Sequence, residues 1–416
     1  MKQYFDPGFK RDSLILVGSQ SLDIWKNIPQ EQAMEGFYLA AAFGNNMAVV
    51  RNIDPEYIEY WKALTEHPKI INVPNINPGE FLSQVIIDHP EIQETIKQNA
   101  LPNSYIMVFL ITEHEEKMSE VLHIPLHGSR LISNAYGTKS GIRKLIQGST
   151  IHMPPGFVCV NVDQMCEAVL ELQKNFQFIV IKHDLSVSGY LTKKIDVTQM
   201  HTIKKSLQEI FESYFHSQTG NYVVEGWVQS NTSLCGHIEI LDNHKPILCA
   251  GWQQLIAHDG ISYIGSRSLQ LSAKAFGSFY EQLETLANLL AENGAVGSFG
   301  PDFIVADDTD TALLIELNAR VPYTAFPIEL IKHIRGGLGE GFASTHVKTG
   351  KELSWKEIMT ALSDKKLLIT ARDTNAVGVV PFNVGMLPWK TFDIAVMADT
   401  FEQTKKILDT VQTLFE

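Results

Sequence analysis

No Cys-x-x-Cys pair occurs in these 416 residues, and there are only four cysteines: Cys159, Cys166, Cys235 and Cys249. No Cys/His cluster accompanies them, so buried reduced thiols are the expectation. Positive charge is also in short supply: 34 Lys and Arg stand against 47 Asp and Glu, a net charge of −13 with His neutral. That balance argues against nucleic acid or an anionic membrane as partner, although a few local cations can still capture a small anion. No apolar run approaches the roughly 20 residues of a membrane helix, and MKQYFDPGFKRDS has no signal-peptide core. A soluble, cytoplasmic protein is expected. GxGxxG is missing, as is GxxxxGK followed by Ser or Thr, which excludes a recognisable Rossmann or P-loop nucleotide site. No GxSxG and no Cys/His pair stands out for covalent catalysis.

What is present is an ordinary globular composition, 44% hydrophobic and 19% charged, long enough for two or three domains. Residues 14 to 130 alternate strand-like runs (LILVG 14–18, NMAVV 46–50, YIMVFLIT 105–112) with helical ones. Asp54-Pro55 opens one helix, and EHEEKMSEVL forms another. The alternation predicts an α/β domain with a largely parallel sheet. Gly128, Gly137 and Gly141 mark a composition shift and a boundary near 130, followed by a helix from Lys139 to Gln147. FIVIK (178–182), YLTKKID (190–196) and NYVVEGWV (221–228) read as strands. Leu207, Ile210, Phe211 and Tyr214 share a helix face, as do Leu283, Leu286, Ala287 and Leu290. Thr400 with Gln403 reads as the capping box of a last helix.

The segment DFIVADDTDTALLIELN (302–318) is a hairpin whose midpoint falls in its acidic loop. An antiparallel pairing sets Asp302 beside Glu316, and Asn318 shares the face of Glu316. Three hard oxygen donors then converge, a set suited to magnesium rather than zinc. The same hairpin also reads as two strands with merely solvated acids. Lys182 ends a strand before HDLSVSGY, where Ser186, Ser188 and Gly189 suit a loop closing on phosphates. Lys139 opens a helix, with Arg143 and Lys144 one turn on. Glu225 and Trp227 end a strand whose turn can present backbone groups to an adenine edge. Arg267 and Arg320 can bind carboxylate or phosphate with two parallel bonds. Idle surface cations, structural ion pairs and ordinary packing remain the competing readings of each.

Taken in order, these segments resemble the ATP-grasp superfamily from about 137 to 325. GTKSGIRKLIQGSTIHMPPGF and FIVIKHDLSVSG resemble its two lysine segments, VVEGWV its hinge, and GAVGSFGPDFIV with LLIELNARVP its metal hairpin. GSQSLD, IIDHPEIQETIKQNALPNSYIMVFLIT and GVVPFNVGMLPWKTFDIAVMADTFEQ look like the pheganomycin-type peptide ligase subgroup, with its N-terminal pre-ATP-grasp domain. The resemblance implies an α/β pre-ATP-grasp domain (1–130) and a two-lobed, α+β ATP-grasp part (131–380). The latter divides into a lid (about 155–225) and a metal and substrate lobe (about 226–380), with a strand-helix extension (381–416) packed on the core.

It also implies ATP held by Lys139 and Lys182, with Lys144 as a substitute for Lys139, and by Ser188 and Gly189. Glu225 would meet the adenine amino group, with the backbone of Trp227 and Val228 completing the hinge. Magnesium, or manganese in its place, would sit on Asp302, Glu316 and Asn318. Arg320 would stabilise an acyl phosphate or substrate carboxylate. The family often places an acid after the hinge for ribose, where this chain has QSNTS (229–233), and some members place arginine at Gly300, a role left here to Arg267. The implied activity is ATP-dependent joining of an amino acid or small acid to an amino-acid or peptide amine. A homodimer is the general prior, and neither nucleic acid nor membrane is expected as partner. A non-catalytic ATP-binding protein and a kinase-like phosphotransferase are the rivals. Arg267 and His258 would line the substrate loop.

Overall fold

The apolar runs of the first 130 residues come together as four parallel strands: β1 (Leu14–Val17), β2 (Met47–Arg51), β3 (Lys69–Val73) and β4 (Tyr105–Met107), in the order β3-β2-β1-β4. This computed structural model describes every residue except 1–3, 20, 22–33, 67, 77–78, 185–190, 201 and 258–259. Both faces of the sheet are covered, which is why its strands read as continuous apolar runs. Ile15, Val17, Met47 and Val49 pack on helices through Val85, Ile96 and Met118. Leu14, Leu16, Ala48 and Val50 join a larger core with Tyr38, Trp61 and Phe326. Asp54 caps the helix Pro55–Thr65, and Thr112 with Glu115 forms a full capping box on Glu113–Leu122.

The run YIMVFLIT is not one strand. Only its first three residues form β4, where Tyr105, Ile106 and Met107 pair with β1 and Ile106 also bridges to Leu126. The rest leaves the sheet and carries Phe109 to Arg320.

A second sheet is formed by β5 (Gly156–Cys159), β6 (Phe178–His183), β7 (Thr192–Asp196) and β8 (Tyr222–Gly226), antiparallel in the order β5-β8-β6-β7. The helices Val162–Leu172 and Ile203–Ser213 complete its core.

The third sheet has eight antiparallel strands: β9 (Thr232–Ile240), β10 (Pro246–Ile256), β11 (Tyr263–Arg267), β12 (Gly297–Val305), β13 (Ala312–Asn318), β14 (Gly341–Lys348), β15 (Gly378–Phe382) and β16 (Thr391–Ala398). Their order is β13-β12-β9-β10-β11-β14-β16-β15. The helix Ala273–Glu292 covers one face through Phe279, Leu283, Leu286 and Leu290, starting at its cap Ser272, well before position 281. The stretch from 381 supplies an interior strand, since β16 pairs with β14 on one side and β15 on the other. Thr400 caps the last helix by accepting from Gln403 N, but the Gln403 side chain returns to Asp399 N.

A buried polar network fastens the first sheet to the third. Glu239 on β9 is fully buried and accepts from His127 (2.7 Å), His237 (3.0 Å) and Ser298. Arg11 Nε donates to His127 Nδ1 at 3.2 Å, which fixes Nε2 as the protonated nitrogen facing Glu239. Burial would push the Glu239 carboxyl up, but the two histidines overcome this and hold it well below the ordinary range. Arg11 also forks onto Asp242 with two 2.7 Å bonds. All four cysteines are free thiols; three are buried and Cys166 is half-buried. Among the described residues, no helix is long and apolar enough to cross a membrane.

Candidate active site

The helix Lys139–Leu145 touches both β8 and β13, so one short element links the second sheet to the hairpin. Thr138 caps it, and Asp184, just past β6, accepts from the Ser140 amide and hydroxyl at 2.7 Å each. Lys139 turns inward, 5% exposed, with Nζ 3.5 Å from Glu316 Oε2. Lys144 is exposed, so Lys139 is the lysine of this helix that faces the hairpin.

Lys182 lies at the end of β6 with Nζ 2.6 Å from Glu225 Oε2, and Arg143 meets Glu225 Oε1 at 2.6 Å. Burial alone would raise the Glu225 carboxyl, yet the two cations hold it below its usual range. Gly156 permits the approach, because a Cβ there would lie 2.8 Å from Glu225 Cγ and 3.0 Å from the Arg143 guanidinium. Both Glu225 oxygens are thus engaged by cations, so the carboxylate positions Lys182 rather than standing open to an adenine amino group. The hinge amides of Gly226 and Trp227 are spent on Pro155 and Phe178 carbonyls at 2.9 Å. Val228 N–H has no partner among the described residues. Lys194 lies 3.9 Å over the Trp227 ring. Segment 229–233 is tied to the hairpin loop instead of offering an acid: Asn231 makes two bonds to Asp307.

In the hairpin the register pairs Asp302 with Glu316 and Gly300 with Asn318, with a bulge after Asp302. Asn318 Nδ2 donates to Asp302 Oδ2 (2.8 Å) and Gly300 O (3.1 Å), and Gln254 donates to Asp302 Oδ1 (3.0 Å). Burial and the charge of Glu316 push the Asp302 carboxyl up to about 7, against bonds from Cys235 and Asn318 and the charge of Arg320. Two carboxylates crowded together in a buried setting, beside an amide, fit a divalent cation. Among the described residues no group of three or more His, Cys, Asp or Glu side chains forms a metal-ligand set, so the amide of Asn318 would be the third donor.

Arg320 joins this group. Its guanidinium lies 4.2 Å over Phe109, and burial lowers its pKa against the charges of Glu316 and Asp302. Arg267 does not. Its partner Gln253 lies opposite Leu234 and Phe303, on the other face from Asp302, Cys235 and Trp252. There it bonds Gln253 (3.2 Å) and stacks on Phe401 at 5.0 Å. Strand alternation decides this placement, and a loop assignment for Arg267 hid it. Gly300 abuts Pro322: a Cβ would lie 2.8 Å from the ring. Ser188, Gly189 and His258 lie outside the described residues. Sequence reasoning missed Gln254, Asp184 and the role of Arg143. Only Arg143 left a signal, one turn from Lys139 on the same helix.

No family model matches the chain. It is 21% identical to the [Butirosin acyl-carrier protein]--L-glutamate ligase of Niallia circulans over 277 residues, 66% of this chain. The match spans 61% of that relative's length. Among solved structures, biotin carboxylase from Campylobacter jejuni in complex with an ATP analogue superposes with a TM-score of 0.62 at 12% identity, over 98% of this chain and 92% of that one. Phosphoribosylamine–glycine ligase from Thermotoga maritima gives 0.58 at 14%, over 97% of each chain. An N5-carboxyaminoimidazole ribonucleotide synthetase bound to ADP gives 0.56 at 11%, over 99% and 98%. The chain therefore has the ATP-grasp fold, preceded by an α/β domain. The matched curated relative is a ligase.

Proposed function

We propose that this protein is an ATP-dependent carboxylate–amine ligase that works through an acyl phosphate. The observation that carries the reading is the 3.5 Å contact between Lys139 Nζ and Glu316, which brings a phosphate-type anchor onto the hairpin of Asp302 and Asn318. The ATP, ADP and magnesium bound by solved structures of the same fold support the cofactor choice. The glutamate ligase among its relatives supports an amino acid as one substrate.

In this reading Val228 N–H meets the adenine edge. Lys139 and Lys182 exchange part of their contact with Glu316 and Glu225 for phosphate oxygens, and Glu225 with Arg143 keeps Lys182 aimed. Asp302, Glu316 and Asn318 would hold magnesium, which supplies charge neutralisation to the phosphates. Arg320 is poised to hold the acid's carboxylate for attack on the γ-phosphorus, because it sits beside the hairpin and is weakly hydrated there. An amine then attacks the acyl carbon, the C–N bond forms, and phosphate leaves with the electron pair. Positioning and charge account for this chemistry, and no protein nucleophile is required.

The test is ADP release by the purified protein with magnesium, ATP and a panel of amino acids. Release that requires both an acid and an amine supports the ligase. Nucleotide binding without turnover across the panel would favour an ATP sensor, and a phosphorylated product without amide would favour a kinase.

A further inference from the structure

One polar cluster on the hairpin's side of the large sheet has no part in the account above. His346 on β14 pairs directly with Asp393 on β16. Its Nδ1 bonds Asp393 Oδ1, while Asp393 Oδ2 accepts from the Tyr323 hydroxyl and from Asn383 Nδ2 (2.9 Å). The Asp393 side chain is 3% exposed, whereas that of His346 is 36% exposed. A carboxylate can only accept, so Nδ1 carries a proton and the neutral ring keeps its lone pair on Nε2. No partner is recorded for Nε2 among the described residues.

Strand alternation places this ring on the ligand side. Ser344, two residues before His346, pairs with Ser266, which pairs with Gln254, whose side chain bonds Asp302. Connectivity brings it close. Tyr323 follows Arg320 by three residues, at most about 11 Å of chain. The next residue, Thr324, bonds Ser266 at 2.7 Å and Tyr263 at 3.2 Å. The rings of Tyr263 and Tyr323 each lie 6.1 Å from the imidazole. One short loop thus joins the acyl-holding arginine to the dyad.

From this geometry we infer that His346 is the base that deprotonates the incoming amine, with Asp393 and Tyr323 as its positioning residues. The inference rests on the ligase reading. His346 Nε2 takes one proton from the substrate ammonium and becomes an imidazolium held by Asp393. The freed amine attacks the acyl carbon, the C–N bond forms and the C–O bond to phosphate breaks. Phosphate departs with that electron pair and takes the second nitrogen-bound proton, leaving amide, hydrogen phosphate and imidazolium. The charge of Asp393 raises the His346 pKa against the effect of burial. The other titratable groups facing the ring are Tyr323, pushed up by burial and Asp393, and Tyr263, pushed up to about 12 by burial. Lys348, on the same strand face, is exposed.

The experiment separates the two half-reactions. Each proteinogenic amino acid is supplied as the acid, first with hydroxylamine, which is uncharged at neutral pH and needs no base, and then with an amino-acid amine. Relative to wild type, His346→Gln should lose about 10²–10⁴-fold in amide formation while still forming hydroxamate. Its amide rate should instead follow the free-amine fraction, with the acidic limb of the wild-type pH profile moved up to the amine's own pKa. Asp393→Asn should move that limb downward. Hydroxamate formation doubles as the check that the variants are folded and bind ATP. Amide formation by His346→Gln with wild-type rate and pH profile overturns the inference and leaves the ligase reading intact. A higher amine KM with unchanged kcat and limb also overturns it, making His346 a cation for the substrate. Equal loss of hydroxamate and amide overturns it as well. A wild-type protein inert to every acid with hydroxylamine overturns the ligase reading itself, and the inference with it.

Discussion

Replacing Glu239 by Gln tests how the N-terminal sheet is held to the sheet that carries the site. The carboxylate accepts from His127, His237 and Ser298 in a fully buried position. The amide keeps the shape but turns an NH2 toward one of those donors and leaves it unpaired. Leaving a buried donor unpaired costs about 1–3 kcal/mol. At roughly 2–4 °C per kcal/mol for a domain of 150–250 residues, the thermal midpoint should fall by about 2–12 °C. The pH dependence has a definite sign. The folded Glu239 carboxyl lies well below its unfolded value, so its stabilisation is complete above the unfolded pKa of about 4.3. It is lost as pH falls toward the folded pKa, at up to about 1.4 kcal/mol per pH unit. Wild type and variant should therefore differ by a constant amount at neutral pH and converge in acid. Calorimetry at neutral pH, with urea titrations stepped below pH 5, reads both effects. A midpoint change under about 2 °C at neutral pH, or a gap that stays constant into acid, refutes the reasoning.

Three other outcomes follow from the same geometry. Glu316→Ala should abolish ATP turnover while leaving the far-ultraviolet spectrum and thermal midpoint near wild type, because Glu316 is partly exposed; retained turnover removes Glu316 from the site. Gly300→Ala drives a Cβ to 2.8 Å from Pro322, and should cost about 1–3 kcal/mol by overpacking, with loss of activity as the Arg320 segment shifts; an unperturbed melting curve would contradict that packing. Val228→Pro deletes the one hinge amide left open and should weaken ATP by about 0.5–1.5 kcal/mol, up to roughly tenfold in Kd, with no such effect on inorganic triphosphate; equal losses for both ligands would move the adenine contact elsewhere.

Much of the fold was legible because its signals are local. Asp54-Pro55 and Thr112 announced their helices, and the both-face burial of β1 and β2 showed as unbroken apolar runs. The hairpin register was legible from symmetry about its loop, which pairs Asp302 with Glu316. What stayed hidden depends on long-range register. Arg267 needed the pairing of β10 with β11 to show which face it occupies. Glu225 looked like a hinge acid until Arg143 and Lys182 arrived from two other elements. His346 and Asp393 lie 47 positions apart and meet only because β14 and β16 are neighbours.

The acyl phosphate is the central claim, and oxygen tracing tests it most directly. The acid that turns over is supplied with both carboxylate oxygens as 18O, and the phosphate released during amide formation is analysed by mass spectrometry. Activation through an acyl phosphate predicts one 18O in each inorganic phosphate and ADP as the nucleotide product. Unlabelled phosphate, or label carried into AMP, would contradict it.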